Sequence, residues 1–385
     1  MNRWGELSIA RFLTPGTGSV SPGTGPISRI AGLVAFRWLV VAAQGATIAI
    51  TWPLWQVRED PPLLPAVQWQ QWPAVDWPQL SDGVQFSPGA WLLASLAVAL
   101  VLPRTGAALH VGLLAVAMLQ DQTRMQPEVI SLGLLLVGTL PGDGARLVGR
   151  AHLIALWFFA GFHKLLSPEY FTGVMPAMFG GDATQTASAL QHVALAVLGG
   201  VMAAGELSLG VLAMVPRTRR ACAVAACAFH LLVLLWLAGK MQWNPAVWPW
   251  NLALAAAGFA LVWPWTTSLI HDVQAARWLP RVAACVLLVS PLGYYVGLVD
   301  PYLAHCLYTR NVPKAQRLTI GGPQPLDTWS ALRVPLPPAH RILEQFFRKT
   351  ALPSERLVID DPRWWARYRG WGHREIKPRE GEGEP

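Results

Sequence analysis

The side chains of this chain that could transfer protons lie inside long apolar runs. Moving an ionisable group from water to the centre of a membrane costs about 2.5–3.5 kcal/mol, so each such residue is a candidate for function. The polar and ionisable candidates are Arg37, Gln44, His110, His152, His163, Lys164, Glu206 and His230. Acid–base chemistry by Lys164, Glu206 and His230 is the activity that these residue types suggest.

Glu206 and His230 stand on either side of the basic turn PRTRR, each twelve residues from Thr218. At 1.5 Å per residue, both lie ~18 Å from the turn, near the middle of a membrane core of ~30 Å. We therefore expect them to be partners on adjacent helices. The pair either relays a proton or only locks the two helices together. A small-residue face suited to close helix packing lies beside Glu206 and is formed by Gly200, Ala204 and Ser208.

Lys164 lies in the run WFFAGFHKLL, about thirteen residues along a span that starts near Ala151. One interpretation is that its long stem carries the ammonium to the membrane surface. The other is that an apolar pocket holds the amine, which then serves as a base. His163 lies about 100° further round the same helix, so the two side chains need not face one cavity.

The segment AGKMQWNPAVWPWNL follows the seventh apolar run and predicts a structured element at the outer face of the membrane. Asn244 and Trp248 in this element, together with His163, are candidates for binding a cofactor. An alternative role for the asparagine is to cap a helix. The four cysteines show neither CxxC spacing nor histidine partners, so no metal site and no disulfide framework is indicated.

These residues must be positioned by membrane helices. The chain has 385 residues, of which 53% are hydrophobic and 14% charged, whereas a soluble domain has about 25% charged residues. We predict a mainly α, multi-pass bundle of about nine spans, with an error of one or two. The runs are Ile30 to Trp52, Ala90 to Leu102, Ala107 to Leu119, Val129 to Leu140, Ala151 to Leu166, Leu190 to Val215, Ala221 to Leu237, Trp250 to Trp265 and Val282 to Val299.

The net charge of +8 is first a topology signal in such a chain, and it does not indicate nucleic acid as a partner. Arginines concentrate in alternate loops, in PRTG, DGARLVGR, PRTRR and HDVQAARWLPR, whereas VREDPP, VDWPQLSDG and SPEY are neutral to acidic. This pattern predicts a protein of the cell's inner (cytoplasmic) membrane, with the N-terminus in the cytoplasm and the C-terminal segment outside.

Three parts follow from this topology. Residues 1–29 are predicted to form a cytoplasmic tail with an amphipathic segment and a Gly/Pro linker. Residues 30–299 form the transmembrane domain, and residues 300–385 form a small external α+β domain. In the external domain, strands are expected at KAQRLTI, ALRVPL and ERLVI, a helix at PPAHRILEQFFRKT, and a disordered end from HREIKPREGEGEP. The Trp-rich outer loop, residues 53–89, and the external domain are the predicted contact surfaces for protein partners.

The run WFFAGFHKLLSPEYFTG resembles the segment aromatic-x-x-Ala-Gly-x-x-Lys-Leu, followed by an aromatic residue and Gly, of the vitamin K-dependent γ-glutamyl carboxylase and its bacterial relatives, the HTTM superfamily. The block from GELSLG through PRTRRA to FHLLVLLW is also similar. The resemblance covers about Ala151 to Trp265. It implies that Lys164 is a base in quinol-linked chemistry, that His230 helps to hold a quinol oxygen, and that the soluble C-terminal region lies outside.

The chain departs from the carboxylase at two points. The carboxylase has two consecutive lysines where this chain has His163 and Lys164, and it has a much larger soluble region for its protein substrate. Carboxylation of a partner protein is therefore not expected.

Three functions stay open. The first is a membrane enzyme acting on a quinone-like or lipid substrate, with Lys164 as base and Glu206 and His230 as relay. The second is a non-enzymatic subunit of a larger respiratory, photosynthetic or transport complex. A transporter comes last, since no inverted repeat or matched pair of broken helices is visible.

Overall fold

The computed structural model describes residues 26–58, 60–66, 79–80, 84–85, 87–180 and 189–378. The predicted N-terminal amphipathic segment and linker, most of the Trp-rich outer loop and the last seven residues lie outside these ranges. Each of the nine apolar runs forms a helix in the structure. The described part of the chain is therefore mainly helical, as predicted.

Proline opens several of the helices, because its fixed φ suits the first turn and its missing N–H is not needed there. The helices of the apolar region are α1 Pro26–Ile50, α2 Pro88–Val101, α3 Pro103–Gln120, α4 Pro127–Gly138, α5 Asp143–Leu165, α6 Met175–Gly180, α7 Ala189–Met214, α8 Arg219–Leu235, α9 Trp248–Ala257, α10 Leu269–Ala275 and α11 Trp278–Val289. Short π-helical segments occur at Tyr170–Val174, Trp236–Met241 and Gly258–Val262.

Six helical stretches in the described residues are long and apolar enough to cross a membrane. They are Ala31–Ile50, Asp143–Leu165, Ala189–Met214, Arg219–Met241, Pro245–Val262 and Trp278–Val296. Helices α2 and α4 are shorter and apolar. At 1.5 Å per residue, their 14 and 12 residues measure about 21 and 18 Å, less than the ~30 Å core.

Helix α5 is the centre of the bundle. It packs against α4, α7 and α11, and 83% of its apolar window is buried. A helix enclosed on nearly all sides can keep a polar side chain only if that side chain has a partner. The lysine and histidines of α5 therefore need hydrogen-bond partners from the neighbouring helices.

The C-terminal domain is a four-stranded antiparallel sheet of order β4-β3-β5-β6, covered by a helix. Its strands are β3 Lys314–Thr319, β4 Gly322–Pro325, β5 Arg356–Asp360 and β6 His373–Ile376; its helices are α12 Trp329–Leu332, α13 His340–Thr350 and α14 Trp364–Tyr368. A two-stranded ribbon, β1 Gln79–Leu80 and β2 Val84–Gln85, lies in the loop after α1. The predicted apolar stripe of α13 is buried, through Ile342, Leu343, Phe346 and Phe347.

Two predictions for this domain were wrong. The segment ALRVPL forms the end of α12 and a coil, because its Pro335 cannot donate to a sheet and because Leu332 and Val334 join the core of the helical bundle. The charged end was predicted to be disordered, yet His373–Ile376 pairs with β5.

The domain boundary at residue 300 does not separate two packing units. Leu64, from the loop after α1, lies in the core of the C-terminal domain, and Leu307 lies in the core of the bundle. Gln122 donates to Gln345 at 3.0 Å across the same boundary. The C-terminal domain thus closes one end of the bundle, which we name the domain end; the opposite end, with the loops carrying Arg146 and Arg219, is the basic end.

Candidate functional site

Lys164 and Glu206 form a buried ion pair between α5 and α7. Nζ of Lys164 donates to Oε2 of Glu206, and the two residues are 9% and 7% exposed. Lys164 therefore points into the bundle and does not carry its ammonium to the membrane surface. Among the described residues, no other hydrogen bond reaches Nζ or the Glu206 carboxylate. The pair keeps unused donor and acceptor positions, since an ammonium has three N–H groups and a carboxylate two oxygens.

Close backbone contact between the two helices brings the pair together. A Cβ on Gly161 of α5 would lie 2.5 Å from the carbonyl oxygen of Ala203, and one on Gly210 of α7 would lie 2.7 Å from the backbone nitrogen of Phe158. Glycine at these two positions lets α5 and α7 approach. Lys164 and Glu206 then face each other at short range.

The small-residue face predicted on α7 was wrong in its orientation. Ala204 and Ser208 are exposed, whereas Gly199, Ala203 and Gly210 are buried. Ala204 and Ser208 each lie two residues, about 200°, from Glu206 round the helix. Because Glu206 faces α5, those two residues face away from it.

The predicted pairing of Glu206 with His230 was also wrong. Trp157 Nε1 donates to His230 Nε2 at 2.8 Å, and His230 Nδ1 lies 3.1 Å from Asn251 Oδ1. An indole N–H can only donate, so Nε2 accepts and the proton of the ring is on Nδ1. Both nitrogens are thus used by the protein, and His230 ties α8 to α5 and α9 as a neutral ring.

The prediction that Glu206 and His230 lie at equal depth was wrong because α7 and α8 contact α5 at different positions along its axis. Glu206 contacts α5 at Lys164 and His230 contacts it at Trp157, seven residues earlier. Seven residues correspond to about 10 Å along a helix. Of the two predicted roles, proton relay and joining helices, the contacts of His230 fit the second.

His163 is buried against the start of the C-terminal region. Its Nε2 lies 2.8 Å from the carbonyl oxygen of Ala304, which can only accept, so Nε2 carries the proton. Its Nδ1 lies 2.6 Å from the Tyr295 hydroxyl. With both nitrogens bonded, His163 offers no free atom to a cofactor, contrary to the role considered for it.

Asn244 remains a candidate for ligand binding and Trp248 does not. Asn244 is 8% exposed, and its Oδ1 has no hydrogen-bond partner among the described residues. Its side chain interacts with Tyr308, which also lies in the electrostatic field of Glu206. Trp248 donates its indole N–H to the carbonyl of Trp243 at 3.0 Å, so its polar atom is occupied.

Three of the other four polar candidates join pairs of helices. Arg37 donates to the carbonyl of Thr139 at 3.2 Å, His110 bonds Ser95 at 2.9 Å, and His152 bonds Ser131 at 2.7 Å. Gln44 is buried with neither side-chain atom bonded to a described residue.

The segment from Ala304 to Arg310, which we name the plug, completes the site and was missed by sequence reasoning. His305, Tyr308 and Arg310 have φ near +55 to +60°, a left-handed conformation that costs energy in residues other than glycine. The hydroxyl of Ser167 donates to the carbonyl of Thr309 at 2.5 Å. No periodicity marks such an irregular segment, so the only available signal was its density of polar and aromatic residues after the last span.

A chain of contacts leads from the C-terminal domain to His163. Arg363 is paired with Asp361 at 2.6 Å, and its guanidinium lies 4.6 Å from the centre of the Tyr294 ring, which meets His163 edge-on at 5.2 Å. Burial opposes the charge on Asp361, but hydrogen bonds from Arg363 and His340 outweigh it and lower the pKa of that carboxyl below its usual 3.8.

A second buried ion pair lies at the basic end of α5. Arg150 Nη1 bonds Asp272 at 2.5 Å, and Nη2 donates to the carbonyl of Ala213 at 2.9 Å. The guanidinium also lies 5.2 Å from the centre of the Trp265 ring, and Thr267 donates to Asp272. This pair ties α5, α7 and α10 together.

Comparison with protein families, curated proteins and solved structures finds no match for the chain. Within the described residues, no group of three or more His, Cys, Asp or Glu side chains is arranged to hold a metal ion.

Proposed function

We propose that this chain is an integral membrane protein of the carboxylase-like superfamily that moves a proton to or from a lipid-soluble substrate of the quinol class. Lys164 is the base and Glu206 its proton partner. The observation that carries the proposal is the buried Lys164–Glu206 pair, whose remaining hydrogen-bonding positions are unused by the described residues. His230, being bonded through both nitrogens, is left out of the proton relay.

The chemistry follows from the low polarity around the pair. Burial disfavours separated charges, so transfer of the ammonium proton from Lys164 to Glu206 along their hydrogen bond is made easier. The resulting neutral amine takes a proton from a substrate hydroxyl and becomes ammonium again. Glu206 holds the first proton until it is released, so charge in the site never rises by more than one unit.

A quinol fits the residues around the pair in one respect. The unpartnered Oδ1 of Asn244 is an acceptor for a hydroxyl hydrogen, and Tyr308 interacts with both Asn244 and Glu206. A bound quinol supplies an acidic hydroxyl and a reducing ring. The protein's part is to orient that hydroxyl and to accept its proton at Lys164.

For the topology, we propose about nine crossings of the cell's inner membrane, with the N-terminus in the cytoplasm and the C-terminal domain outside. The six long apolar helices support the membrane location. The separation of the arginine-bearing loops from the C-terminal domain, which lie at opposite ends of the bundle, supports the direction. The superfamily assignment is supported by the Lys164 segment and by the direction in which Lys164 points.

The experiment is mass spectrometry of lipids that co-purify with the wild-type protein and with K164M/E206L. The double substitution removes both charges together and so avoids leaving one buried and unpaired. We expect the wild type to retain a quinone or quinol and the variant to retain about 10- to 100-fold less, the worth of a hydrogen bond to a charged group.

K240M is the matched control, because Lys240 is an exposed lysine on the π-helical segment that follows α8. It should retain the same lipid as the wild type. Absence of any quinone-class lipid from the wild-type protein, or equal retention by K164M/E206L, would refute the proposal.

An alternative function is that of a non-enzymatic subunit in a larger membrane complex. It is favoured by exposed aromatic side chains on the C-terminal domain, Trp364, Tyr368 and Trp371, because clustered exposed apolar groups mark contact sites. In native gels of solubilised membranes, W364A/Y368A should then migrate as a smaller species than the wild type. Equal migration at the mass of the single chain in its detergent micelle contradicts this alternative.

A further inference from the structure

Three arginines crowd the turn between α7 and α8 at the basic end. We name Arg217, Arg219 and Arg220 the arginine turn. Arg219 is held in place by the carbonyls of Trp263, at 2.9 Å, and Pro216, at 2.5 Å. The guanidinium of Arg220 lies 5.5 Å from the centre of the Trp263 ring. Arg217 is exposed and makes no hydrogen bond or ion pair with a described residue.

Among the described residues, no carboxylate is paired with these three arginines. The acidic residues of the described loops at the basic end are Asp143, paired with Arg146 at 2.5 Å, and Asp272, paired with Arg150 at 2.5 Å. Each is thus already matched by one arginine outside the turn. Arg219 also repels the buried Arg150. An anion at the turn would relieve that repulsion and meet the free guanidinium of Arg217.

Exposed apolar side chains border the arginine turn on both helices. Val211 lies in the last turn of α7, Val215 directly follows that helix, and Val224 lies in the second turn of α8; all three are exposed. A soluble polyanion would leave these valines in water. An amphiphile whose anionic head is followed by hydrocarbon chains covers both the charges and the valines.

We propose that the arginine turn binds the phosphate of an anionic phospholipid, with the acyl chains lying along the exposed valines of α7 and α8. Arg219 is already oriented by its backbone contacts, and Arg217 and Arg220 close on the phosphate oxygens. Trp263 places the site at the depth of the headgroups, where indole rings prefer to lie. This site requires membrane embedding but not the chemistry of Lys164, so it stands or falls independently of the proposed activity.

The test uses the full-length protein in nanodiscs of phosphatidylcholine alone or with added phosphatidylglycerol. Native mass spectrometry after release counts the lipids that stay bound. We expect phosphatidylglycerol to be retained in preference to phosphatidylcholine by the wild type. Retention should weaken about fivefold in R217Q and about 30-fold in R217Q/R220Q, in line with the worth of one basic residue at a membrane surface.

K240Q removes one exposed positive charge at the far end of the Arg219–Met241 helical stretch and should leave retention unchanged. Arg217 has no partner among the described residues, so R217Q should unfold at the same temperature as the wild type. The proposal is overturned if K240Q weakens retention as much as R217Q, if both lipids are retained equally, or if millimolar inorganic phosphate displaces the lipid.

Discussion

The two buried ion pairs of α5 differ in how completely they are bonded. At the basic end, Arg150 and Asp272 are also bonded by Ala213 and Thr267 and stacked by Trp265. Toward the domain end, Lys164 and Glu206 have only each other among the described residues. Nε of Arg150 has no partner among the described residues, but both of its other nitrogens are bonded and its face lies against Trp265. The guanidinium is therefore more fully bonded than the ammonium of Lys164.

The difference separates a structural pair from a reactive one on the same helix. A buried ion pair offsets its desolvation only when further hydrogen bonds satisfy its remaining donors and acceptors. The Arg150–Asp272 pair has such bonds, to Ala213 and Thr267, and the Lys164–Glu206 pair has none among the described residues. Burial can make lysine and glutamate neutral, whereas arginine stays charged. The candidate site is therefore identified less by burial than by incomplete bonding.

The largest effect is expected at the more fully bonded pair. R150M leaves Asp272 buried without its arginine, so the free energy of unfolding should fall by about 3–5 kcal/mol. Denaturant unfolding in detergent, followed by tryptophan fluorescence, measures this. If R150M lost less free energy of unfolding than K164M/E206L, the assignment of the structural role to the Arg150–Asp272 pair would be contradicted.

A third buried ion pair, Arg363–Asp361 in the C-terminal domain, tests the same idea outside the apolar helices. Because the pKa of Asp361 is lowered below 3.8, its charged form is stabilised by folding; the stability is present above pH 3.8 and is lost as the pH falls below it. D361N should cost ~1.5–3 kcal/mol at pH 7 and should flatten the acid limb of a stability profile.

The exposed pair Arg356–Glu375 of the same sheet is the control for that experiment. R356Q should follow the wild-type profile, since exposed pairs contribute little. If D361N lost stability at low pH as the wild type does, a group other than Asp361 would be responsible for that loss.

The approach of α5 and α7 can be disturbed without touching a charge. G161A places a methyl group against the Ala203 carbonyl and should lower the free energy of unfolding by about 1–3 kcal/mol. G205A, on α7 with open space around its Cβ, should instead raise the free energy of unfolding by up to ~1 kcal/mol. If G161A and G205A changed the free energy of unfolding equally, the close contact between α5 and α7 would not explain the need for glycine at position 161.

The smallest effect on stability is expected from K164M/E206L. Replacing an unsaturated buried pair by apolar side chains is often neutral, so we expect a change within ~1 kcal/mol. R150M/D272L should not recover in this way, because Ala213 and Thr267 remain unbonded. If both double variants are as stable as the wild type, the two ion pairs do not differ in how much their other hydrogen bonds contribute to stability.

Each of the nine hydrophobic runs predicted the position of a helix, and the stripe of Ile342, Leu343, Phe346 and Phe347 predicted α13. The same runs do not specify how each helix is rotated or tilted. Glu206 was therefore assigned to His230, although it faces Lys164 across a contact set by Gly161. The plug was beyond prediction, because its left-handed backbone is held by contacts that exist only in the folded bundle.

The plug also dictates an order of assembly. The carbonyls of Ala304 and Thr309 that meet His163 and Ser167 belong to chain made 141 and 142 residues later. Until that chain emerges, the most central helix of the bundle carries unsatisfied polar groups toward one end. During biosynthesis, the hydrogen bonds of His163 and Ser167 therefore form only after the plug has been synthesised. A ribosome stalled before residue 304 would leave a protein in which the plug does not cover this end of α5.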